Sequence, residues 1–584
     1  MDNCYWSLEE LFPSFESEGF QKCFEDLKKE VIKINSWAEE NFSNKDDALK
    51  KIETYISMQN NFSKFQTLTS FASLSLSVDS NNNTARRLLG QLENIFTDIT
   101  VSDNKFYEFI DGIEDLDGLV SSSEVLKSHE FYLKEIKEGS KHRLSEKEEY
   151  ILAKVRQTGS GAFSKQQEFL TSNLLAEFDG GLLTLSEIRN KAYDENASVR
   201  EGAYFAELGA YKKIEGPAAF SLNAIKGEVI TISELRGFES PLDMALYYSR
   251  MDRQTLEAMF SAIRKCLPMF IKYFDKKAGL LGHKNGLPFY DLFAPVGKVW
   301  MRFTYPQAQA FVLDNFYNFS ENLGSLAERA FKNNWVDAFP RKGKVGGAFC
   351  SNIHPIGESR ILTNFTGSFN DCLTIAHELG HAYHGNTLMG EAYLNSGYSM
   401  PIAETASTMC ESIITKAAIK SASKDEALVI LENDIMGSSQ VIVDIYSRFL
   451  FEDEVFNRRK GGPLPVEEFK EIMVDSQIKA YGDGLDKQFL HPYMWVCKPH
   501  YYFADSNYYN FPYAYGLLFS KGLYAKYLES GPEFVKLYDE MLSKTGKNNL
   551  YDVGKIAGID IRDEGFWLSS LKMVEGEIGQ FVNM

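Results

Sequence analysis

The sequence predicts a mainly α-helical protein that contains one small β-sheet, and three observations support this fold class. No proline occurs between Pro13 and Pro217, so the first third of the chain can form unbroken helices. Apolar residues near the start of the chain recur at the spacing of one helix face. Beyond Pro217 the pattern remains helical, except between about residues 345 and 365.

The clearest helical pattern lies near the start of the chain. Apolar residues at alternating steps of four and three predict a helix packed against neighbouring helices: Phe20, Phe24, Leu27, Val31, Ile34 and Ala38. The polar run 79–84 then predicts a turn between two helices. The return of proline at position 217 places a coarse domain boundary near residues 190–215.

Composition excludes several classes of partner and location. The 584 residues carry 62 Lys and Arg against 81 Asp and Glu, a net charge of -19, which repels nucleic acid and anionic membranes. The start of the chain is acidic and lacks the apolar stretch of a secretory signal. Seven scattered cysteines without a C-x-x-C pair indicate reduced, mostly buried thiols, so we expect a cytoplasmic protein without membrane spans.

One segment after Pro217 departs from the helical pattern. Residues 345–350 and 360–365 flank a connection with proline and glycine, which predicts two short strands. The next segment, 371–385, is long enough for four helical turns and carries regularly placed apolar residues.

That helix contains the sequence H-E-x-x-H, formed by His377, Glu378 and His381. Residues four apart on a helix lie on the same face, so both imidazoles can reach one metal ion. Glu378 is rotated by about 100° from His377, which lets its carboxylate contact a polarised water without occupying a ligand position. Neutral imidazoles suit zinc, and the carboxylate suits proton transfer.

A catalytic zinc site needs a third protein ligand. His384 lies on the same face, but about 10 Å along the helix axis from His377, so a ligand from another helix is favoured. Ser399 and Pro401 indicate the start of a further helix, on which Glu404 and Glu411 share one face because they are seven residues apart.

These residues resemble the thimet-oligopeptidase-like metallopeptidases, and within them the oligoendopeptidase F branch. The similarity extends in order through residues 290–295, 346–349, the two helices just described and the stretch from 554 to 567. The resemblance implies Glu404 as the third ligand of one zinc ion per chain. It also places Glu411 where a carboxylate can orient a zinc-bound histidine, although an ordinary polar surface role stays open for it.

The same resemblance implies an architecture and a domain division. Such proteins have two helical lobes closed around a deep substrate channel, with the small sheet next to the H-E-x-x-H helix. On this basis residues 1–200 form an N-terminal helical lobe, and residues 201–584 form the zinc metallopeptidase domain. A deep channel admits short unfolded peptides and excludes folded proteins, and hinge motion between the lobes is expected.

The segment 499–516 is rich in tyrosine. Tyr509 and Tyr513 are four residues apart, so both phenols can point one way and donate hydrogen bonds to an oxyanion. The resemblance adds His500 to this pair, although the spacing from His500 to the first tyrosine departs from the family and Gly516 stands where a third tyrosine is expected. Aromatic packing is the alternative, and Tyr508 and Tyr515 are the expected core residues.

The strand segment is predicted to bind substrate through its main chain. An extended peptide can pair with an exposed strand edge, and small residues allow it to approach closely. The predicted binding residues are Gly346, Gly347, Ala348 and Phe349. Main-chain pairing implies weak sequence preference.

Together these observations predict a cytoplasmic zinc endopeptidase that cleaves oligopeptides with broad specificity. Glu378 is the expected proton acceptor, with His500, Tyr509 and Tyr513 stabilising the tetrahedral intermediate. A carboxypeptidase with the same ligands is the first alternative, for which Arg302 or Arg360 could bind a substrate carboxylate. A non-catalytic peptide-binding protein is the second, and the intact Glu378 disfavours it. The oligomeric state stays open.

Overall fold

The structure, a computed structural model, describes residues 4–297 and 301–584, and most of them lie in α-helices. The mainly α-helical prediction is confirmed. The first third forms a β-hairpin, β1 (Leu175–Phe178) and β2 (Gly181–Thr184), and the following helices: α1 (Glu18–Asn41), α2 (Ala48–Phe62), α3 (Gln66–Val78), α4 (Asn83–Asp98), α5 (Thr100–Asp111), α6 (Leu116–Ser121), α7 (Glu124–Ser128), α8 (Glu130–Gly139), α9 (Glu146–Thr158), α10 (Ser160–Ser172), α11 (Leu185–Asn190) and α12 (Ala197–Tyr211).

The remainder of the chain adds a small sheet and the longer helices. Its strands are β3 (Val336–Asp337), β4 (Phe349–Ile353) and β5 (Glu358–Leu362). Its helices are α13 (Glu215–Leu235), α14 (Pro241–Tyr248), α15 (Arg253–Leu281), α16 (Tyr305–Phe319), α17 (Glu321–Lys332), α18 (Phe369–Leu388), α19 (Met400–Ala403), α20 (Thr405–Ser421), α21 (Lys424–Ser439), α22 (Ile445–Arg459), α23 (Val466–Tyr481), α24 (Met494–Cys497), α25 (Phe511–Ser530), α26 (Glu533–Ser543), α27 (Leu550–Ile556) and α28 (Glu564–Asn583).

Helix α1 forms where its apolar stripe predicts it. Ser17 caps its N-terminus by accepting a hydrogen bond from the Phe20 backbone N–H, and all six apolar residues of the predicted stripe are buried. Helix α3 ends at Val78 and α4 begins at Asn83, which confirms the predicted turn. Proline proved a weaker signal further along, because Pro268 lies inside α15 without ending it.

The hydrophobic interior divides into two cores. The first core contains buried residues between positions 6 and 136, and the second contains residues between positions 174 and 581. Strand β5 contributes to both, because Ile361 packs in the second core and the next residue, Leu362, packs in the first. The small sheet therefore lies between the two cores. The domain boundary at residue 200 stays a prediction.

The small sheet has the strand order β3-β5-β4, with β4 antiparallel to β5 and β3 parallel to it. The two strands predicted at residues 345–350 and 360–365 are both present, but their bounds are shifted, since β4 spans Phe349–Ile353 and β5 spans Glu358–Leu362. Strand β4 begins only at Phe349, because the positive φ of 80° at Gly347 places the preceding residues in a bend. Strand β5 ends at Leu362. The hairpin of β1 and β2 was not predicted.

Two further expectations concern the surface and the cysteines. Within the described residues, no helix is both long and apolar enough to cross a membrane. All seven cysteines are free, as expected, but only Cys372 and Cys410 are buried, so the prediction of mostly buried thiols was wrong.

Candidate metal centre

Helices α18 and α20 contact each other closely at Gly380. A Cβ atom at this position would lie 2.5 Å from the Cα of Ser407 and 2.6 Å from the carbonyl oxygen of Ala406. Glycine is therefore required for the two helices to approach this closely. Helix α18 itself begins at a capping box of Ser368 and Asp371, and it extends slightly beyond the predicted segment at both ends. The close contact brings the residue before α20, Glu404, next to the histidines of α18.

Three potential metal ligands meet at this contact. The Nε2 atoms of His377 and His381 are 3.1 Å apart, and Oε2 of Glu404 lies 3.3 Å and 3.4 Å from them. These donor atoms all lie within 4.8 Å of one another, as a single coordinated ion requires. Two imidazoles and one carboxylate are a donor set typical of catalytic zinc sites. The three residues could therefore hold a metal ion.

Glu404 is fixed at the junction between α19 and α20. Its Oε2 accepts a hydrogen bond from the Ser407 hydroxyl at 2.8 Å. Helix α25 packs against its other side at Gly516, where a Cβ atom would lie only 3.1 Å from the Cβ of Glu404. Gly516 thus allows this helix contact at the position where a third tyrosine was expected. Burial alone would raise the pKa of Glu404, but His377 and His381 outweigh it and lower that pKa.

Glu411 contacts the opposite nitrogen of the His377 ring. Its Oε1 lies 2.6 Å from Nδ1 of His377, so a proton held at Nδ1 leaves Nε2 free to bind a metal ion. Burial lowers the pKa of His377, but Glu404 and Glu411 outweigh that effect and raise it to about 10. Positive charge is therefore stabilised at this point, and a divalent cation would supply it.

Glu378 is buried beside these ligands, with an exposed fraction of 5 %. Among the described residues, its Oε2 has no hydrogen-bond partner. Burial raises the pKa of Glu378, and His377 and His381 oppose that shift only in part. Burying a carboxylate oxygen without a hydrogen-bond partner costs free energy of folding, so its presence calls for a functional explanation. Accepting a proton next to a metal ion is one such function.

A cavity of about 430 Å³ opens onto the three-residue cluster. His377, Glu404 and Glu411 line it on one side, and Leu373 and Leu517 are among its apolar walls. Tyr513 also faces this cavity. A space of this size beside polar groups can accept part of a peptide chain.

Three rings of the tyrosine-rich segment contact one another in a row that leads to this cavity, which we call the tyrosine stack although only its first pair is stacked face to face. The ring of His500 stacks on Tyr509 with centroids 4.8 Å apart, and Tyr509 contacts Tyr513 at 5.7 Å. Burial lowers the pKa of His500, whereas burial and then Tyr509 raise the pKa of Tyr513. Both side chains are therefore neutral near pH 7. The core prediction for Tyr508 and Tyr515 is confirmed, since both are buried.

The predicted peptide-binding strand differs from expectation. Of its four residues only Phe349 lies in a strand, whereas Gly346 and Gly347 are exposed in the bend before it and Ala348 joins them to the strand. The carbonyl of Gly347 accepts a hydrogen bond from the Asn364 side chain at 2.8 Å. Strand β4 lies at one edge of the sheet, so its second edge pairs with no strand among the described residues.

His384 and the two arginines lie outside the cluster. His384 is fully buried, stacks on Tyr398 and forms a hydrogen bond with the Thr545 hydroxyl at 2.8 Å. Arg360 is also buried and pairs with Glu358 at 2.8 Å and Glu10 at 3.1 Å, so it cannot bind a substrate carboxylate. Exposed Arg302 donates a hydrogen bond to the Thr366 carbonyl at 3.3 Å.

Sequence reasoning missed two side chains that hold the cluster in place. Ser407 binds Glu404 from one helical turn away, and a serine three residues after a junction residue could have indicated this contact. Asn352 of β4 donates a hydrogen bond to the backbone carbonyl of His381 at 3.2 Å. No local pattern connects these two residues, which are far apart in the chain.

Comparisons with known proteins identify the family and several relatives of this chain. A family model described as "Peptidase family M3" matches residues 191–573, and one described as "Oligopeptidase F" matches residues 112–174. Oligopeptidase PepF of Bacillus subtilis is 25% identical over 98% of this chain and 86% of its own length. An oligoendopeptidase F homolog of Borreliella burgdorferi is 23% identical over 96% of this chain and 94% of its own.

Solved structures share the fold. The crystal structure of oligoendopeptidase-F from Enterococcus faecium superposes with a TM-score of 0.69 at 18% identity, covering 96% of this chain and 98% of that one. A crystal structure from Chlamydophila abortus gives a TM-score of 0.85 at 20% identity, covering 100% of this chain and 98% of that one. The small sheet and the helices around it therefore belong to a known architecture.

Proposed function

Because the chain belongs to peptidase family M3, we propose that this metallopeptidase is a zinc-dependent endopeptidase that hydrolyses short unfolded oligopeptides of varied sequence. The observation that carries the proposal is the cluster of His377, His381 and Glu404, with the buried carboxylate of Glu378 beside it. An acidic chain with free cysteines also fits a cytoplasmic location and a peptide rather than a nucleic-acid partner.

In this proposal the two Nε2 atoms and the Glu404 carboxylate hold one zinc ion. Bound zinc would supply a Lewis acid that polarises the peptide carbonyl and lowers the pKa of water. Glu411 keeps the His377 ring oriented through Nδ1. Ser407 holds the Glu404 carboxylate in the same way.

Glu378 transfers the proton. Its free carboxylate oxygen accepts a proton as the water oxygen attacks the carbonyl carbon of the peptide bond. Glu378 then gives the proton to the amide nitrogen as the C–N bond breaks, which releases a neutral amine and returns Glu378 to its charged form. No covalent enzyme intermediate is required.

The tyrosine stack stabilises the negative charge that develops on the carbonyl oxygen. Tyr513 lines the same cavity as the metal ligands, and Tyr509 and His500 stack behind it. Neutral donors placed before the reaction stabilise an oxyanion without reorganising. We assign hydrogen-bond donation to Tyr513 and Tyr509 and support of the stack to His500.

The edge of β4 and the bend at Gly346 and Gly347 bind the peptide backbone. Every peptide supplies main-chain N–H and carbonyl groups, so this contact selects little for sequence. Ala348 and Phe349 connect the bend to the strand edge. The size of the cavity, rather than the amino-acid sequence of the peptide, then determines which substrates can bind. This favours short flexible peptides.

The direct test uses an N-acetylated, C-amidated decapeptide with a quenched fluorophore. We expect internal cleavage that stops when the metal is chelated and returns when zinc is added back. A protein that holds zinc but cleaves no peptide would instead be a non-catalytic peptide-binding protein. Cleavage restricted to peptides with free ends would identify the carboxypeptidase alternative.

A further inference from the structure

Tyr509 is held differently from the other members of the tyrosine stack. Tyr513 lies in the first turn of α25, and His500 lies in a 3₁₀ helix, Pro499–Tyr502, so regular structure fixes the backbone of both. Tyr509 belongs to the connection 503–510, which is neither helix nor strand, and its side chain is only partly buried. The position of its phenol therefore depends on the contacts of the flanking residues.

The residues on both sides of Tyr509 anchor this connection. Asn507, Tyr508 and Asn510 are all buried, whereas Tyr509 between them is only partly buried. Oδ1 of Asn510 accepts a hydrogen bond from Nη1 of Arg448 in α22 at 3.4 Å. Asn507 and Tyr508 form shorter hydrogen bonds, which tie the connection to α13 and α22.

A buried lysine of α13 links Asn507 to α22. Nζ of Lys226 donates hydrogen bonds to Oε1 of Glu452 at 2.6 Å and to Oδ1 of Asn507 at 2.9 Å. All three side chains are buried. The same ammonium lies 4.7 Å from the ring centre of Phe456. Because a buried ammonium is costly without acceptors, Lys226 favours the conformation that brings Asn507 to it.

Tyr508 contacts α22 directly. Its hydroxyl donates a hydrogen bond to Oδ1 of Asp453 at 3.0 Å, and its ring stacks on Phe456 with centroids 5.4 Å apart. Phe449 contacts the ring as well, with centroids 5.5 Å apart. These three residues and Glu452 follow the spacing of one helix face, so α22 presents a single surface to the connection.

The backbone at Tyr508 is strained. Its φ of 53° lies in the left-handed region, which is costly for a bulky residue. With this conformation the ring of Tyr508 contacts α22, whereas the next ring, Tyr509, contacts His500. Such strain persists only when surrounding contacts hold it, and the hydrogen bonds of Asn507 and Tyr508 supply them.

We propose that a clamp formed by Lys226, Asn507 and Tyr508 positions the peptide-cleaving site. The clamp holds the phenol of Tyr509 where it can donate a hydrogen bond to the oxyanion. This inference rests on the proposed peptidase function and on the donor role of Tyr509 in it. Tyr513 does not depend on the clamp, because α25 fixes its backbone. The three clamp residues are positioning residues, since they act on the reaction through another side chain.

Asn507→Ala tests the clamp, because it removes one acceptor of Lys226 and leaves the pair with Glu452 intact. We expect kcat for the blocked decapeptide to fall about 10-fold or more, with KM and the zinc Kd nearly unchanged. Asn223→Ala is the matched control in α13. This buried asparagine binds the backbone of Leu464 instead, so its removal should lower Tm without changing kcat.

A double-mutant cycle tests whether the clamp acts through Tyr509. Tyr509→Phe removes the phenol hydroxyl, so Asn507→Ala should cost less than about 2-fold in kcat when it is added to this variant. Equal losses with and without the hydroxyl would overturn the inference, because the damage would then not pass through Tyr509. Asn507→Asp restores an oxygen acceptor for Lys226 and should recover part of kcat.

A second variant keeps the test decisive if Asn507→Ala does not fold. Tyr508→Phe removes the hydrogen bond to Asp453 but keeps the ring, and kcat should fall about 5-fold with KM unchanged. Normal kcat in folded clamp variants would overturn the inference while leaving the endopeptidase intact. Failure of the unmodified protein to cleave the blocked decapeptide would contradict the proposed function itself.

Discussion

Oε1 of Glu411 lies 2.6 Å from Nδ1 of His377, on the side of the ring opposite to Glu404. The two carboxylates therefore hold one imidazole from both nitrogens. Removing the charge of Glu411 should disturb the ring without removing a ligand.

We accordingly expect Glu411→Gln to weaken zinc binding by about 10- to 100-fold, because the neutral amide orients and polarises the His377 ring less strongly. Competition with a chromophoric chelator would measure the zinc Kd. Glu529→Gln changes an exposed glutamate of α25 and serves as the control. An unchanged Kd in Glu411→Gln would show that Glu411 is an ordinary surface residue.

Glu378→Gln should lower kcat by about 100- to 10,000-fold, because the amide cannot accept the proton of the attacking water. Zinc content should stay at one ion per chain, since Glu378 is not among the clustered ligand atoms. Metal analysis and peptide cleavage on the same sample would check both expectations. Near-normal turnover in a zinc-loaded variant would refute the role of this residue.

Tyr513→Phe should lower kcat by about 100-fold with little change in KM, because a hydrogen bond to the developing oxyanion acts mainly in the transition state. Tyr515→Phe is a matched control, since this hydroxyl is buried in the core without a hydrogen-bond partner among the described residues. Steady-state kinetics would separate the two parameters. A change confined to KM in Tyr513→Phe would point to substrate binding instead.

Gly380→Ala should destabilise the protein by about 1–3 kcal/mol, because the added methyl group would overlap the backbone of α20. Zinc affinity should fall as well, since Glu404 immediately precedes that helix. Gly576→Ala in α28 offers a control in open space and should stabilise by up to about 1 kcal/mol. Urea unfolding would measure the stability of both variants, and equal stability would contradict the packing argument.

The lowered pKa of Glu207 predicts that the folded protein loses stability in acid. Burial alone would raise its pKa, but His491 and Arg189 outweigh burial and lower it to about 2 in the folded protein. Because this value lies below the ordinary pKa of 4.5, Glu207 contributes stability above about pH 4.5 and loses it as the pH falls toward 2. The shift corresponds to about 3 kcal/mol.

Thermal unfolding of Glu207→Gln at several pH values would test this. The Tm difference from the unmodified protein should be largest near pH 7 and should shrink below pH 4.5. Glu201→Gln, on the same helix but exposed, should show no such convergence. A pH-independent difference for Glu207→Gln would mean that its charge contributes nothing to stability.

Local patterns predicted the helices better than the sheet. The six buried side chains of α1 follow from spacing alone, because a helix repeats its face within a few residues. The observed strand β4 begins four residues later than predicted, because Gly346 and Gly347 lie in a bend. This bend depends on hydrogen bonds from the side chain of Asn364. Short strands carry few residues, so neighbouring packing decides where they start.

The metal cluster was predictable only in part. His377, Glu378 and His381 lie on one helix, and their spacing alone indicates a metal site. Glu404 comes from a separate element, so only the family resemblance pointed to it. The close helix contact at Gly380 depends on segments far apart in the chain, which no local pattern reveals.

The way β5 joins the two cores also bears on how the chain is synthesised. Leu362 and Ile353 complete the core that is otherwise built from residues 6–136, and the buried side chain of Arg360 binds the backbone carbonyl of Ser7. During translation the N-terminal helices therefore emerge long before the strands that finish their interior. Until the hairpin of β4 and β5 leaves the ribosome, part of this apolar core stays exposed, and exposed apolar surface favours aggregation of the nascent chain.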